Sequence, residues 1–192
     1  GKPIILAVLA GRPLTIGEIS EYADAVLYAW HPGTMGGKAI AGIIYGDADP
    51  SGKLPVTFPV TEGQIPIYYN HKMTGRPVIE DQWVHIDDIP EKAFQTSLGN
   101  TSHYIDAGFE PLYPFGFGLS YTTFEYSDLK VNSPVISITD TLEISFVLRN
   151  TGERSGTEVA QLYTRDIAAS ITRPVKELSG FRRVYLEPGE SR

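Results

Sequence analysis

Two unbroken apolar runs, at residues 4–9 and 25–30, each stand ahead of a stretch with helical spacing. A run of apolar residues with no polar alternation suits a strand of a parallel sheet, covered on both faces by helices. Between the runs, residues 15–22 carry a short helical pattern, with Ile16 and Ile19 three apart and Glu18 and Glu21 free for a solvent face. After the second run, residues 36–45 set Ala39, Ile40, Ile43 and Ile44 on one helical face, and Gly46 stops the helix. Strand, helix, strand, helix is the alternation of an α/β fold with a parallel sheet.

The period then changes. Residues 47–59 hold Pro50, Gly52, Pro55 and Pro59 and read as loop and edge structure. Residues 64–126 have little periodicity but many aromatics, among them Tyr68, Trp83, Tyr104, Tyr113 and Tyr121. Long loops of that composition wrap a neighbouring surface or line a site. Beyond Tyr126 the pattern has period two. Leu142, Ile144, Phe146 and Leu148 alternate with Thr141, Glu143, Ser145 and Val147, Asn150-Thr151-Gly152 makes a turn, and residues 159–163 resume the alternation. A further short strand at 184–186 ends at Pro188-Gly189. Short alternating strands between turns indicate an antiparallel β-sandwich. The expected fold is thus an incomplete α/β part over residues 1–124 and an all-β sandwich over 125–192. The second part falls short of the roughly 100 residues such a sandwich needs. Both ends are therefore expected to be cuts, leaving an exposed sheet edge that favours association.

Composition narrows the function. A net charge of −7 without a Lys/Arg cluster argues against a nucleic-acid partner. The absence of cysteine excludes disulfides and thiolate metal sites, and no segment approaches the ~20 apolar residues of a membrane span. His71, His85 and His103 are too dispersed for a metal site. Gly36-Gly37 reads as a tight turn rather than a phosphate cradle, and Gly116-x-Gly118 does not complete a dinucleotide fingerprint. Asn100-Thr101-Ser102 is formally a glycosylation acceptor, read here as a chance match.

Three motifs carry a family resemblance. The first is Trp30-His31-Pro32-Gly33-Thr34-Met35-Gly36-Gly37-Lys38-Ala39-Ile40-Ala41, continuing through Tyr45-Gly46-Asp47 to Pro50-Ser51-Gly52-Lys53-Leu54-Pro55-Val56-Thr57-Phe58-Pro59. The second is Gln64-Ile65-Pro66-Ile67-Tyr68-Tyr69-Asn70-His71 with Thr74-Gly75-Arg76-Pro77. The third is Leu112-Tyr113-Pro114-Phe115-Gly116-Phe117-Gly118-Leu119-Ser120-Tyr121-Thr122-Thr123-Phe124. In this order they resemble the second domain of family 3 glycoside hydrolases of the bacterial periplasmic β-glucosidase type. Arg173-Pro174-Val175-Lys176-Glu177-Leu178 and Gly180-Phe181 resemble the fibronectin type III-like domain that follows it.

The resemblance implies part of a retaining, exo-acting β-glucosidase that removes terminal β-D-glucosyl residues from an oligosaccharide or aryl glycoside without a cofactor. The alternatives are a β-xylosidase of the same family and a non-catalytic carbohydrate-binding or adhesion module. Retaining hydrolysis needs two carboxyl groups about 5–5.5 Å apart. In the family the nucleophile is an aspartate of an N-terminal barrel, and the acid/base also comes from upstream segments. No carboxylate here matches either motif, so no catalytic residue or metal ligand is assigned, and the chain by itself is expected to be inactive. Its missing barrel is the expected partner, and the periplasm or the exterior the expected location. Candidate substrate contacts are Tyr104, Asp106 and Trp30, because sugar sites pair carboxylates with aromatic planes. Packing alternatives stand beside each: loop packing for Tyr104 and Asp106, and support beneath the turn at 33–37 for Trp30. Asp47 and Asp49 are expected to close the turn at 50–52 through their side chains.

Overall fold

The computed structural model describes residues 1–94 and 101–192; Asn100, with its formal glycosylation signal, lies outside them. The chain divides into two compact units, one of residues 1–37, 54–117 and 162–180, the other of residues 38–53, 118–161 and 181–192.

In the first unit, β1 (Ile5–Val8) and β2 (Ala25–Tyr28) form a parallel pair in the register Ile5↔Ala25 to Val8↔Tyr28. Asp24 starts the ladder. Its carboxylate accepts the Ile4 amide at 2.7 Å and its own amide donates to the Ile4 carbonyl at 2.9 Å. The connection contains α1 (Gly17–Ser20), one turn rather than the longer helix expected from residues 15–22; of the two residues whose spacing suggested an apolar face, Ile16 is buried and Ile19 is 53% exposed. Among the described residues the strands are not covered on both faces: Ile4 and Ile5 keep 54% and 46% of their surface exposed.

The helix α2 (Gly36–Ile44) begins where a Cβ on Gly36 would lie 2.6 Å from the Pro32 ring. The glycine serves close packing of the turn on itself. The helix ends with Gly46 at φ +80, its amide donating to the Ile43 carbonyl at 3.0 Å, as in a left-handed C-terminal cap. Residues 36–37 belong to the first unit and the rest of α2 to the second.

The core of the first unit is aromatic. Phe58, 1% exposed, packs edge-on against Tyr28 at 4.8 Å, Trp30 at 5.9 Å and Tyr113 at 6.2 Å. The backbone brings these motifs together. Phe58 donates to the Tyr113 carbonyl at 2.8 Å, Leu112 to the Phe58 carbonyl at 2.9 Å, and Leu54 to the Phe117 carbonyl at 2.7 Å. Residues 162–180, the outer part of the β5–β6 hairpin described below, also belong here. Tyr69 anchors them: its ring stacks on Phe115 at 4.1 Å, meets Tyr163 edge-on at 6.1 Å, and its hydroxyl accepts the Leu178 amide at 3.4 Å.

In the second unit, β3 (Phe124–Val131) pairs antiparallel with β4 (Ile144–Asn150). The strand β3 was not expected from the sequence. Its alternation Phe124, Tyr126 slips by one residue to Leu129, Val131, because a bulge lies between Ser127 and Lys130, with Asp128 at φ 53. β5 (Gly156–Thr164) and β6 (Glu177–Leu186), whose residues are divided between the two units, form the remaining pair; β6 is longer than the strand expected at 184–186, its first part carrying Gly180 and the charges of Arg182 and Arg183 that hide it in the sequence. Leu148, Ala160 and Leu186 form the buried apolar centre.

Three polar residues tie this unit. Asn150 is fully buried; its Oδ1 accepts from Thr122 Oγ1 at 2.7 Å and from the Gly152 amide at 3.0 Å, and its Nδ2 donates to the carbonyls of Arg154 at 2.7 Å and Leu186 at 3.1 Å. Asp49 does not close its own turn, as expected from its neighbours. Its carboxylate accepts from Ser120 Oγ at 2.7 Å, the Tyr121 amide at 2.8 Å and the Thr157 amide at 3.3 Å, joining segments some 70 and more residues away, a reach no local reading shows. Lys53 donates to the Gly118 carbonyl at 2.7 Å and pairs with Glu158 at 3.0 Å.

The fold class is therefore an α/β part followed by an all-β part of paired strands, β3 and β4 antiparallel. Among the described residues no helix is long and apolar enough to cross a membrane.

Candidate functional site

Tyr104 and Asp106 lie on one tight turn of the first unit. The turn occupies residues 105–107 and is closed by Tyr104 and Gly108, whose amides and carbonyls bond each other at 3.2 and 2.8 Å. Gly108 sits at φ +72, a conformation L residues rarely adopt, which lets the chain reverse. Both candidate side chains are exposed, and neither has a hydrogen-bond partner among the described residues; Ile105 and Ala107 between and beside them are half-buried.

The carbonyls of this turn are capped from elsewhere. The Trp83 indole N–H donates to the Tyr104 carbonyl at 3.3 Å, the Ile86 amide to the Ile105 carbonyl at 2.8 Å, and His85 Nε2 to the Asp106 carbonyl at 3.1 Å. The buried Gln64 side chain reaches the carbonyls of Ala107 at 3.5 Å and Glu110 at 3.3 Å, while its oxygen accepts the Val60 amide at 2.6 Å. The His85 tautomer follows from its partners. Nδ1 accepts the Asp87 amide at 3.2 Å, so the ring proton sits on Nε2 and faces Asp106. The Trp83 ring packs edge-on to His85 at 5.7 Å, and a Cβ on Gly108 would rest 3.5 Å from the same indole.

Trp30 is placed differently. It is half-buried at the end of β2, edge-on to Tyr28 at 4.8 Å, with its backbone at φ 52. A bulky residue in the left-handed region stores strain and is held there by packing, here by Tyr28 and Phe58. Among the described residues no ring contact or hydrogen bond joins Trp30 to Tyr104 or Asp106. His31 folds back over Gly11, where a Cβ would lie 2.3 Å from its Nε2. His103 pairs with Thr101 through Nδ1 at 3.0 Å, while its Nε2 is buried without a hydrogen-bond partner among the described residues.

Two carboxyls away from this turn depart from their ordinary range, both downward. An acid/base carboxyl needs its pKa raised. The Glu62 carboxyl is instead held below the ordinary range by its own backbone amide and the Thr15 hydroxyl, and Glu190 by the Glu187 amide and Arg192. Burial pushes the Tyr28 phenol up against the opposing pull of Arg12, and it pushes Tyr163 up with Tyr69 beside it. Among the described residues no group of three or more His, Asp or Glu side chains could hold a metal ion. Sequence reading missed Trp83, His85 and Gln64 as the holders of the turn. The only local signal was a tryptophan and a histidine two apart in a polar stretch.

Comparisons with known proteins agree with the motifs. The profile of the glycosyl hydrolase family 3 C-terminal domain matches residues 1–121, and that of the fibronectin type III-like domain matches residues 158–192. A periplasmic beta-glucosidase of Salmonella typhimurium is 46% identical over 190 residues, covering 99% of this chain and 23% of that protein. A putative beta-xylosidase of Formosa agariphila is 39% identical over 192 residues, covering 100% of this chain and 22% of that protein. The crystal structure of a beta-glucosidase from Listeria innocua superimposes with a TM-score of 0.86 at 41% identity, over 100% of this chain and 25% of that one. The chain thus spans about a quarter of the length of these relatives.

Proposed function

The chain belongs to the family 3 glycoside hydrolases, and from that membership we propose that it is the α/β and fibronectin-like portion of a retaining, exo-acting β-glucosidase. The whole enzyme removes terminal β-D-glucosyl residues from oligosaccharides or aryl glycosides. The observation that carries this reading is the agreement of the family profile over residues 1–121 with a 46% identical relative named as a periplasmic beta-glucosidase. The same relative supports a periplasmic or secreted location.

The chemistry is divided. A nucleophile and an acid/base about 5–5.5 Å apart belong to an N-terminal barrel and its neighbouring segments, the partner of this chain. Residues 1–124 supply substrate contacts and residues 125–192 form the fibronectin-like part. In that division the Tyr104 ring offers an apolar plane to the C–H face of a pyranose, Asp106 accepts from its hydroxyls, and Trp30 offers a second aromatic surface.

A second reading, β-xylosidase, is favoured by the 39% identity to the Formosa agariphila protein. The two differ by one hydroxymethyl group on the sugar, a small handle for discrimination. The test is kcat/KM of the upstream-extended polypeptide on p-nitrophenyl β-D-glucoside and β-D-xyloside. Preference for the glucoside is expected; equal or greater efficiency on the xyloside overturns the glucosidase assignment.

A further inference from the structure

We propose that Trp83 and His85 are positioning residues that hold the turn of Tyr104 and Asp106 rigid, so that the two side chains meet a saccharide without prior ordering. The proposal rests on the reading of Tyr104 and Asp106 as substrate contacts.

Turn carbonyls at a protein surface ordinarily bond to water, and the turn then samples several conformations. Here four consecutive carbonyls, those of residues 104–107, have protein donors: the Trp83 indole, the Ile86 amide, His85 Nε2 and the Gln64 side-chain amide. Two of the four come from side chains only two residues apart, Trp83 and His85, whose rings brace each other at 5.7 Å. His85 is itself fixed at both ring nitrogens, accepting the Asp87 amide at Nδ1 and donating to Asp106 at Nε2. The side chains of Tyr104 and Asp106 are left out of this network and exposed. A backbone saturated with bonds beneath two unengaged side chains is what preorganised recognition requires, since the ordering cost is met before the ligand arrives. A purely structural loop has no need to leave an aromatic plane and a carboxylate uncommitted on a turn held in this way.

His85 is not interchangeable with any polar residue at this position. One side of it must accept and the other must donate. Glutamine can reproduce that pair through its oxygen and its NH2 group, and alanine reproduces neither. Phenylalanine at position 83 keeps a ring against His85 and Gly108 but removes the indole donor.

The experiment uses the polypeptide extended upstream through its barrel and two readouts by heteronuclear NMR. In the absence of sugar, backbone order parameters of residues 104–108 are measured for the wild type, His85→Ala, His85→Gln and Trp83→Phe. Amides around Phe58 report that the fold is intact. Lower order at 104–108 is expected in His85→Ala and Trp83→Phe, with His85→Gln close to wild type. Unchanged order in both His85→Ala and Trp83→Phe overturns the positioning role. In the second readout each protein is titrated with methyl β-D-glucopyranoside and with cellobiose, following the 104–108 amides. Loss of one or two bonds beneath the turn should weaken binding by about five- to ten-fold in His85→Ala, with recovery in His85→Gln. Binding by Tyr104→Ala and Asp106→Ala as tight as by the wild type, or no binding by the wild type itself, sinks the reading of those two as substrate contacts while leaving the first readout to decide the positioning claim. Sugar binding lost in Tyr104→Ala but unaffected in His85→Ala and Trp83→Phe overturns the positioning claim alone.

Discussion

Replacing Asn150 by alanine tests the account of the second unit at its most demanding point. The side chain makes four hydrogen bonds with no exposed surface of its own. Two of the partners, Gly152 and Arg154, lie near enough to solvent for water to take over. The other two do not: Thr122 is 8% exposed and Leu186 is fully buried. Each buried group left without its partner costs about 1–3 kcal/mol, so the substitution should cost about 4 kcal/mol. Set against the 5–15 kcal/mol typical of a folded domain, that is a large share. With a urea slope of about 2 kcal/mol per molar, the unfolding midpoint should fall by about 2 M. Thr122→Val removes one partner independently, and the double-mutant cycle with Asn150→Ala should return a coupling of about 1 kcal/mol or more. Asn150→Asp should be no better tolerated, because a carboxylate would then face the Arg154 and Leu186 carbonyls. A midpoint shift worth less than about 1 kcal/mol, or additive single substitutions, would refute the reasoning, since surface substitutions reach only about 0.5 kcal/mol.

Lys53→Met removes the cation from the Glu158 carboxylate, whose side chain is 12% exposed, leaving it the Tyr126 hydroxyl, and should cost about 2–4 kcal/mol in chemical denaturation, with part restored by adding Glu158→Gln. Burial, the Glu158 carboxylate and the hydrogen bond to it at 3.0 Å together hold the Tyr126 phenol well above its ordinary value. Because the folded value is the higher one, this contribution is complete below about pH 10 and is lost as pH rises from there toward the folded value. An ultraviolet phenolate titration should therefore show one late-ionising tyrosine that disappears in Tyr126→Phe and ionises earlier in Glu158→Gln; an unchanged curve in both contradicts the assignment. Gly118→Ala would bring a Cβ to 2.3 Å from the Gly52 carbonyl oxygen, a backbone atom that cannot swing aside, and thermal unfolding should show a loss of about 2 kcal/mol.

Much of the fold was legible because its strands and its long helix obey their periods. The apolar runs became β1 and β2, residues 36–45 became α2, and the alternation at 141–149 became β4. The exception among the strands, β3, is instructive. A single bulge at Asp128 shifts the phase of its apolar residues, and a pattern search tied to one phase passes over it. Helix α1 fell short because Gly17 opens it and Ala23 and Asp24 already belong to the approach to β2, where Asp24 bonds Ile4. The site was legible only in part. Tyr104 and Asp106 attract notice by residue type, but what makes their turn rigid comes from Gln64, Trp83 and His85, some twenty or forty residues away. Asp49 follows the same rule. Its sequence neighbours suggested a local turn, and its partners are Ser120, Tyr121 and Thr157. Polar side chains act through partners that periodicity does not encode.

The central claim, that this chain contributes binding and support while the reacting carboxylates lie elsewhere, is tested most directly by hydrolysis of p-nitrophenyl β-D-glucoside. The 192-residue chain and the same chain extended upstream through a barrel are assayed side by side. The account predicts turnover by the extended polypeptide and none above the buffer rate by the 192 residues alone. Turnover by the 192-residue chain, abolished by replacing Asp106, would contradict it and place a carboxylate pair within these residues.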